Sequence, residues 1–189
     1  SVISVAVSYM PDVQSSAPPY ASHGRVARYA WGYDYHKILK KRLRMLAGLL
    51  SERMGQSFHY RIYVDDGPML DREVAWRAGV GFYGKNTNLL TRVGSWVFLG
   101  ELITDLEFKP DKPSQKSCGT CTTCIPACPT GAITAPYVID SNRCIAYLTI
   151  EHRGVIASEL RPLIGDRVFG CDICQDVCDP ALEFQHHFT

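Results

Sequence analysis

The first residues alternate: Ile3, Val5, Val7 and Tyr9 are apolar, while Ser4, Ala6 and Ser8 between them are small or polar. A period of two predicts a half-buried strand, which Pro11 ends. From Pro11 to Gly32 the chain is rich in Pro, Ser, Tyr and Gly and shows no period, so it reads as a loop, and loops of that length in compact domains are usually functional. Arg25, Arg28, Tyr29, Trp31, Tyr33 and Tyr35 mix cations with aromatics, a composition that suits stacking on a planar ring or contact with phosphate, or simply closing a core. From Asp34 to about Arg53 the period lengthens to that of a helix. Asp34 is placed to cap it, Leu39, Leu43, Leu46 and Leu50 form one face, and Lys37, Lys40, Lys41 and Arg44 form another. A charged face of this kind is usually a solvated face, with polyanion contact as the alternative. His36 lies in the first turn.

Phe58 to Val64 is a second strand candidate and runs into Asp65-Asp66-Gly67-Pro68. Proline after acidic residues marks a helix start, which predicts a helix from Pro68 to Ala78 closed by Gly79. Asp65 and Asp66 then sit at a strand-to-helix junction, where one can cap and the other can project into a cleft. A carboxyl desolvated by an apolar cofactor would gain the raised pKa that a proton donor needs, and Arg72, one turn on, could pair with it or hold substrate. Gly79, Gly81 and Gly84 spell a G-x-G-x-x-G, but it follows a helix instead of a strand, so we discount it as a dinucleotide loop. Its glycines still indicate close backbone approach. Trp96 to Thr104 is a continuous apolar, β-rich run and reads as a buried strand. A Lys- and Pro-rich connection, Lys109 to Lys116, marks a domain boundary, giving domains at 1–110 and 111–189. Beyond it, Tyr137 to Asp140 suggests a short strand, and Ser141 to Leu148 a helix start containing Cys144.

Composition narrows the classes. With 189 residues and 46% hydrophobic content the chain can bury one core, or a core and a small satellite. A formal charge of +1 gives no global attraction to polyanions, so a nucleic-acid partner would need a local basic patch. No apolar run approaches the roughly 20 residues that span a bilayer. Ser1 opens directly into the strand pattern with no targeting signal and no Met, and the expectation is a cytoplasmic, N-terminally incomplete excerpt without membrane attachment.

All eight cysteines follow residue 117. Cys118-Gly-Thr-Cys121-Thr-Thr-Cys124-Ile-Pro-Ala-Cys128-Pro129 has the two-, two- and three-residue gaps and the closing proline of a bacterial iron–sulfur run, in which three thiolates converge on one cluster and the fourth points to another. Cys174 and Cys178 repeat the spacing of Cys124 and Cys128. The later set, Cys171, Cys174 and Cys178, therefore reads as a second half-motif whose first cysteine has moved upstream to Cys144. The gaps suit metal capture better than disulfides, and two zinc sites are the weaker alternative because the full run is more specific than paired C-x2-C units.

Taken together, Ala30-Trp31-Gly32-Tyr-Asp34-Tyr-His36, Val64-Asp65-Asp66-Gly67, Leu70-Asp71-Arg72-Glu-Val-Ala, Gly79-Val-Gly81-Phe with Lys85-Asn86, Gly94-Ser95-Trp96-Val97-Phe98-Leu99-Gly100-Glu101 and the cysteines resemble the epoxyqueuosine reductase family over essentially the whole chain. The resemblance implies an α+β chain, a nitroreductase-like α/β sandwich that binds cobalamin followed by a ferredoxin-like domain with two four-iron four-sulfur clusters. It implies reduction of epoxyqueuosine to queuosine in the anticodon stem-loop of tRNA by a monomer supplied by an external donor such as flavodoxin or ferredoxin. The family's additional N-terminal residues and C-terminal helical extension are not in this stretch. By motif position Asp65 matches the proton donor, and His36 and Arg72 match positions near the substrate. Lys85, Asn86, Ser95 and Trp96 are expected at the corrin. Asp66 stands where threonine is common, and Ala27 where some relatives have cysteine. By analogy with two-cluster ferredoxins, Cys118, Cys121, Cys124 and Cys178 are expected on one cluster, and Cys128, Cys144, Cys171 and Cys174 on the other. A reductive dehalogenase with the same cofactors, and a plain ferredoxin-type electron carrier, are the competing readings.

Overall fold

The computed structural model describes residues 1–10 and 23–178. Its elements in order are β1 (Val2–Ser8), β2 (Arg25–Val26), a 3-10 turn (Arg28–Ala30), α1 (Tyr35–Met54), β3 (Tyr60–Tyr63), α2 (Asp71–Arg77), β4 (Gly81–Tyr83), β5 (Leu89–Thr91), β6 (Val97–Thr104), α3 (Cys124–Ala127), β7 (Ile133–Ala135), β8 (Val138–Ile139), a 3-10 turn (Ser141–Arg143), α4 (Ile145–Ile150), α5 (Arg161–Ile164), β9 (Arg167–Phe169) and α6 (Ile173–Asp176). The chain gathers into two compact units. One comprises Ser1–Ser8, Gly32–Phe82 and Leu89–Ser117, and the other Tyr9–Trp31, Tyr83–Asn88 and Cys118–Thr189.

The first unit is built on an antiparallel sheet in the order β1-β6-β3, with Ser4 opposite Glu101 and Tyr63 opposite Glu101 on the other side. Because side chains alternate across a sheet, Ile3, Val5 and Val7 turn to one face, where they pack with Phe98 and Leu102 against Leu39, Leu43 and Ala47 of α1. Val64 completes this core and is fully buried. Gly100 lets the helix approach, since a Cβ there would lie 3.0 Å from Leu43 Cδ1 and 3.3 Å from Leu39 Cδ2. Asp34 caps α1 as expected, accepting from the His36 amide, and Gly55 closes it in the left-handed conformation at φ 64°. Ser4 and Glu101 face the opposite side of the sheet.

Three elements differ from the sequence reading. The helix expected from Pro68 begins only at Asp71, because Asp65 to Pro68 are consumed in a turn that starts with Asp65 at φ 53°; Asp71 and Glu73 then supply its acidic first turn. Within the stretch read as one loop, the described part forms β2, paired in parallel with β9, and the 3-10 turn; Pro11 and most of that stretch lie outside the described residues. Cys144 is not inside a helix but is the N-cap of α4.

The second unit consists of short pieces. A small apolar cluster of Ile145, Leu148, Leu160 and Ile164 holds α4 and α5, with Ile156 and Cys171 against it. Arg28 links its upstream and downstream parts: its amide donates to Asp172 Oδ2 at 2.9 Å, and its guanidinium contacts Asp176 Oδ1 at 2.6 Å. Among the described residues no helix is long and apolar enough to cross a membrane.

Candidate active site and cluster-binding cysteines

At the end of β3 the two neighbouring aspartates are placed in different environments. Asp66 is committed: it takes the Lys40 ammonium on Oδ2, and its Oδ1 accepts the Val64 amide at 3.0 Å. The Lys40 hydrogen bond, followed by that amide, holds its carboxyl below the usual range, so it stays ionised. Asp65 is exposed and sits in the left-handed backbone region at φ 53°, which is strained for a residue with a Cβ. The Tyr35 hydroxyl donates to its Oδ2 at 2.8 Å. Tyr35 in turn stacks on Phe98, with centroids 4.1 Å apart and planes 1° from parallel, and on His36 at 4.0 Å. His36 is fixed by Asp34, whose Oδ1 lies 2.9 Å from Nδ1, and that contact is the chief reason the Asp34 carboxyl is held down. Tyr35 is thus held between two rings and in turn orients one oxygen of an exposed carboxyl.

On the other sheet face the site includes a residue that the pattern did not single out. Glu101 is fully buried in the middle of β6, with Ser4 Oγ 3.4 Å from Oε1. Burial, then the hydrogen bond and charge of Asp71 at the start of α2, push its carboxyl up to about 9. Glu101 Oε2 and Asp71 Oδ1 are both buried and lack a donor, and one proton held between the carboxyls resolves both. The signal available in the sequence was a single carboxylate within the apolar run Trp96 to Thr104. Arg72, the next residue of α2, is exposed, and Ser95 and Trp96 are buried just before β6.

Lys85 and Asn86 lie in the second unit, in the loop between β4 and β5. That loop is closed by the Gly84 amide on the Asn88 carbonyl at 2.8 Å, with Thr87 at φ 67°. Lys85 is buried, and its ammonium donates to the carbonyls of Gly119 and Cys121, both at 2.7 Å. Its amide points at Cys118 Sγ, 3.4 Å away. Asn86 Nδ2 donates to the Cys174 carbonyl at 2.9 Å, and Asn88 Nδ2 lies 3.8 Å from Cys174 Sγ.

All eight cysteines are free thiols. Burial raises the Cys124 thiol, with the charge of Cys118 adding to it, and raises Cys171. Cys174 is pushed up to about 12 by burial and then by Cys171, Cys144, Cys124 and Cys128. Burial also raises Cys128, but the Thr130 hydroxyl and the amides of Ala132, Ile133 and Thr130 outweigh it and hold that thiol low. Buried thiols this close repel one another once ionised, and a cationic cluster removes that repulsion. Amide donors to sulfur, such as Lys85 to Cys118 and Ala132 to Cys128 at 3.3 Å, are the outer contacts an iron–sulfur cluster uses. Among the described residues no three Cys, His, Asp or Glu side chains close on a single metal ion, and it is the donor chemistry, eight thiols with amide donors to sulfur, that fits a cluster.

The fold and its cysteines define a mixed α+β chain with a ferredoxin-like iron–sulfur part, and residues 117–180 match the family described as 4Fe-4S double cluster binding domain. Residues 1–66 match the family described as Epoxyqueuosine reductase QueG, DUF1730. The epoxyqueuosine reductase of Synechocystis sp. is 48% identical over 94% of this chain, and that of Escherichia coli K12 is 46% identical over the same share. A solved epoxyqueuosine reductase with a tRNA-TYR epoxyqueuosine-modified tRNA stem loop superimposes with a TM-score of 0.86 at 40% identity over 94% of the chain, and the Streptococcus thermophilus enzyme with 0.83 at 37%. The chain spans 61% of the Synechocystis protein, 47% of the Escherichia coli one and 48% of the Streptococcus structure. It is a homologue of the epoxyqueuosine reductases over the stretch they share.

Proposed function

We propose that this chain is the catalytic and electron-input part of an enzyme that reduces epoxyqueuosine to queuosine in tRNA, with residues 1–110 as its cobalamin-binding, nitroreductase-like part and residues 111–189 as its ferredoxin-like part. The observation that carries the reading is the division of labour between adjacent carboxyls: Asp66 is locked by Lys40, while Asp65 is left exposed with one oxygen oriented by Tyr35. Cobalamin, when bound, supplies the reducing chemistry at the epoxide carbon, and the protein supplies position, protons and electrostatics.

Removing an epoxide oxygen as water to leave an alkene takes two electrons and two protons, and in this reading Asp65 Oδ1 delivers a proton to the leaving oxygen while the reducing chemistry supplies the electrons. Tyr35 holds the carboxyl in one rotamer through Oδ2, and the Phe98 stack fixes Tyr35. His36, clamped by Asp34, and the exposed Arg72 guanidinium contact the modified nucleoside, while Ser95 and Trp96 serve the cofactor. Lys85 and Asn86, expected at the corrin, have their side-chain donors on the cysteine loops. Cys118, Cys121, Cys124 and Cys178 would hold one cluster and Cys128, Cys144, Cys171 and Cys174 the other, and these clusters would supply electrons to the site. The reaction takes place in the cytoplasm on the anticodon stem-loop, with a flavodoxin or ferredoxin as donor and the enzyme acting as a monomer.

Asp65→Asn tests the reading in the full-length protein. The variant is expected to bind cobalamin, to keep both clusters, and to lose turnover by about 10²-fold or more. Full activity with both cofactors in place removes Asp65 from the mechanism.

A further inference from the structure

The loop Gly84 to Asn88 belongs to none of the cysteine motifs, yet the side-chain donors of Lys85, Asn86 and Asn88 turn to them. Lys85 makes three contacts to the first motif: its amide to Cys118 Sγ, and its ammonium to the Gly119 and Cys121 carbonyls. Its own carbonyl accepts the Tyr137 amide at 3.0 Å, so the backbone on which the ammonium is mounted is itself fixed. Asn86 and Asn88 reach the second motif, at the Cys174 carbonyl and sulfur, and Asn86 Oδ1 receives the Asn88 amide at 3.1 Å.

The two sides of the loop therefore differ in charge. A buried ammonium faces the loop that carries Cys118 and Cys121, whereas two neutral amides face Cys174, and the charged groups that act on Cys171, Arg167 and Asp172, have opposite signs and oppose each other. A four-iron cluster with four thiolates gains a negative charge when reduced, and a fixed cation in a water-poor setting favours the more negative state. Neutral amide donors to sulfur act in the same direction, but more weakly than a full charge.

We infer that the Gly84–Asn88 loop sets the two clusters at different potentials, with Lys85 making the cluster of Cys118, Cys121 and Cys124 the more easily reduced of the pair. The inference rests on the two-cluster reading above. Lys85 is a positioning and tuning residue that acts through the cluster loop it touches. The asymmetry gives electrons a resting place on the Lys85 side, so that a donor delivering one electron at a time fills that cluster first.

The test is an EPR-monitored redox titration of the anaerobically reconstituted full-length protein, with iron counted in the same samples. Lys85→Gln removes the charge and keeps a donor, and Lys85→Arg keeps the charge. The expected result is about eight irons per chain in all three proteins, with one midpoint moved to a more negative potential in Lys85→Gln, the other unmoved, and neither moved in Lys85→Arg. Unchanged midpoints in Lys85→Gln, or equal shifts in both variants, overturn the inference. About four irons in the wild type overturns the two-cluster reading instead. Cys121→Ser in an otherwise wild-type chain supplies an independent check if Lys85→Gln does not take up iron. The EPR signal altered by that exchange is expected to be the one with the higher midpoint, and finding it at the lower midpoint also overturns the inference.

Discussion

The two units hold their shapes by different means. The sheet unit has an eight-residue β6, a seven-residue β1 and a twenty-residue α1, joined by a core in which Leu39, Leu43, Ala47, Val64 and Leu102 are almost wholly buried. The cysteine unit has helices of four to six residues, strands of two or three, and four buried apolar side chains in its cluster. Helices that short do not form alone, and so small an apolar cluster cannot order the segments around it. The first unit is a hydrophobic-core structure that carries chemistry on its edges. On the two-cluster reading the second is organised around its metal ligands, and metal binding there would contribute to its folding.

Stripping iron with a chelator breaks this comparison most strongly. Amide exchange in α3, α4 and α6 is expected to lose its protection, while α1 and β6 keep theirs; equal loss in both units would show that the core of the first depends on the clusters. Leu43→Ala sharpens it from the other side. It should cost about 2–5 kcal/mol in the unfolding of the sheet unit and leave the iron content unchanged, because Leu43 packs under Gly100 and has no part in the cysteine unit's cluster. Lost iron in that variant would contradict the separation.

The smallest effect concerns Glu101. Its folded carboxyl, pushed up from 4.5 to about 9, holds a proton that the unfolded chain releases above pH 4.5. The folded state therefore binds more protons between those values, and stability contributed at low pH is lost as pH rises toward 9. Asp71, Ser4 and the more distant charge of Asp65 are the groups that act on it. Glu101→Gln has no proton to take up and should be more stable than the wild type by about 1–3 kcal/mol at pH 8, with no gain at pH 4.5. Chemical denaturation of the sheet unit at the two pH values measures it; a gain that is the same at both refutes the shared-proton assignment.

What could be read from the sequence follows the same division. Periods of two and 3.6 residues identified β1 and α1, because long elements with one buried face leave a regular trace, and a continuous apolar run identified β6. Asp34 as a helix cap and the aspartate pair at the end of β3 were also legible, since capping and strand-to-helix turns are local chemistry. The late start of α2 was not: the backbone at Asp65 adopts a left-handed turn that a motif rule for proline does not contain. Nor was the role of the Gly84–Asn88 loop, because its bonds to Gly119, Cys121 and Cys174 join residues more than thirty positions apart. Glu101 escaped because a period analysis records a polar residue in an apolar run as an exception, whereas Ser4 and Asp71 on neighbouring elements make it a site. The cysteine spacing, by contrast, carried the metal chemistry outright, since cluster geometry is written in the gaps between ligands.

The most direct measurement is made on the full-length protein, with clusters reconstituted, incubated anaerobically with cobalamin, a low-potential reductant and tRNA bearing epoxyqueuosine. Nucleoside analysis of the recovered tRNA is expected to show queuosine formed over many turnovers, and no product in the absence of cobalamin. Recovery of unchanged epoxyqueuosine from protein whose clusters are reduced and whose cobalamin is bound would contradict the assignment.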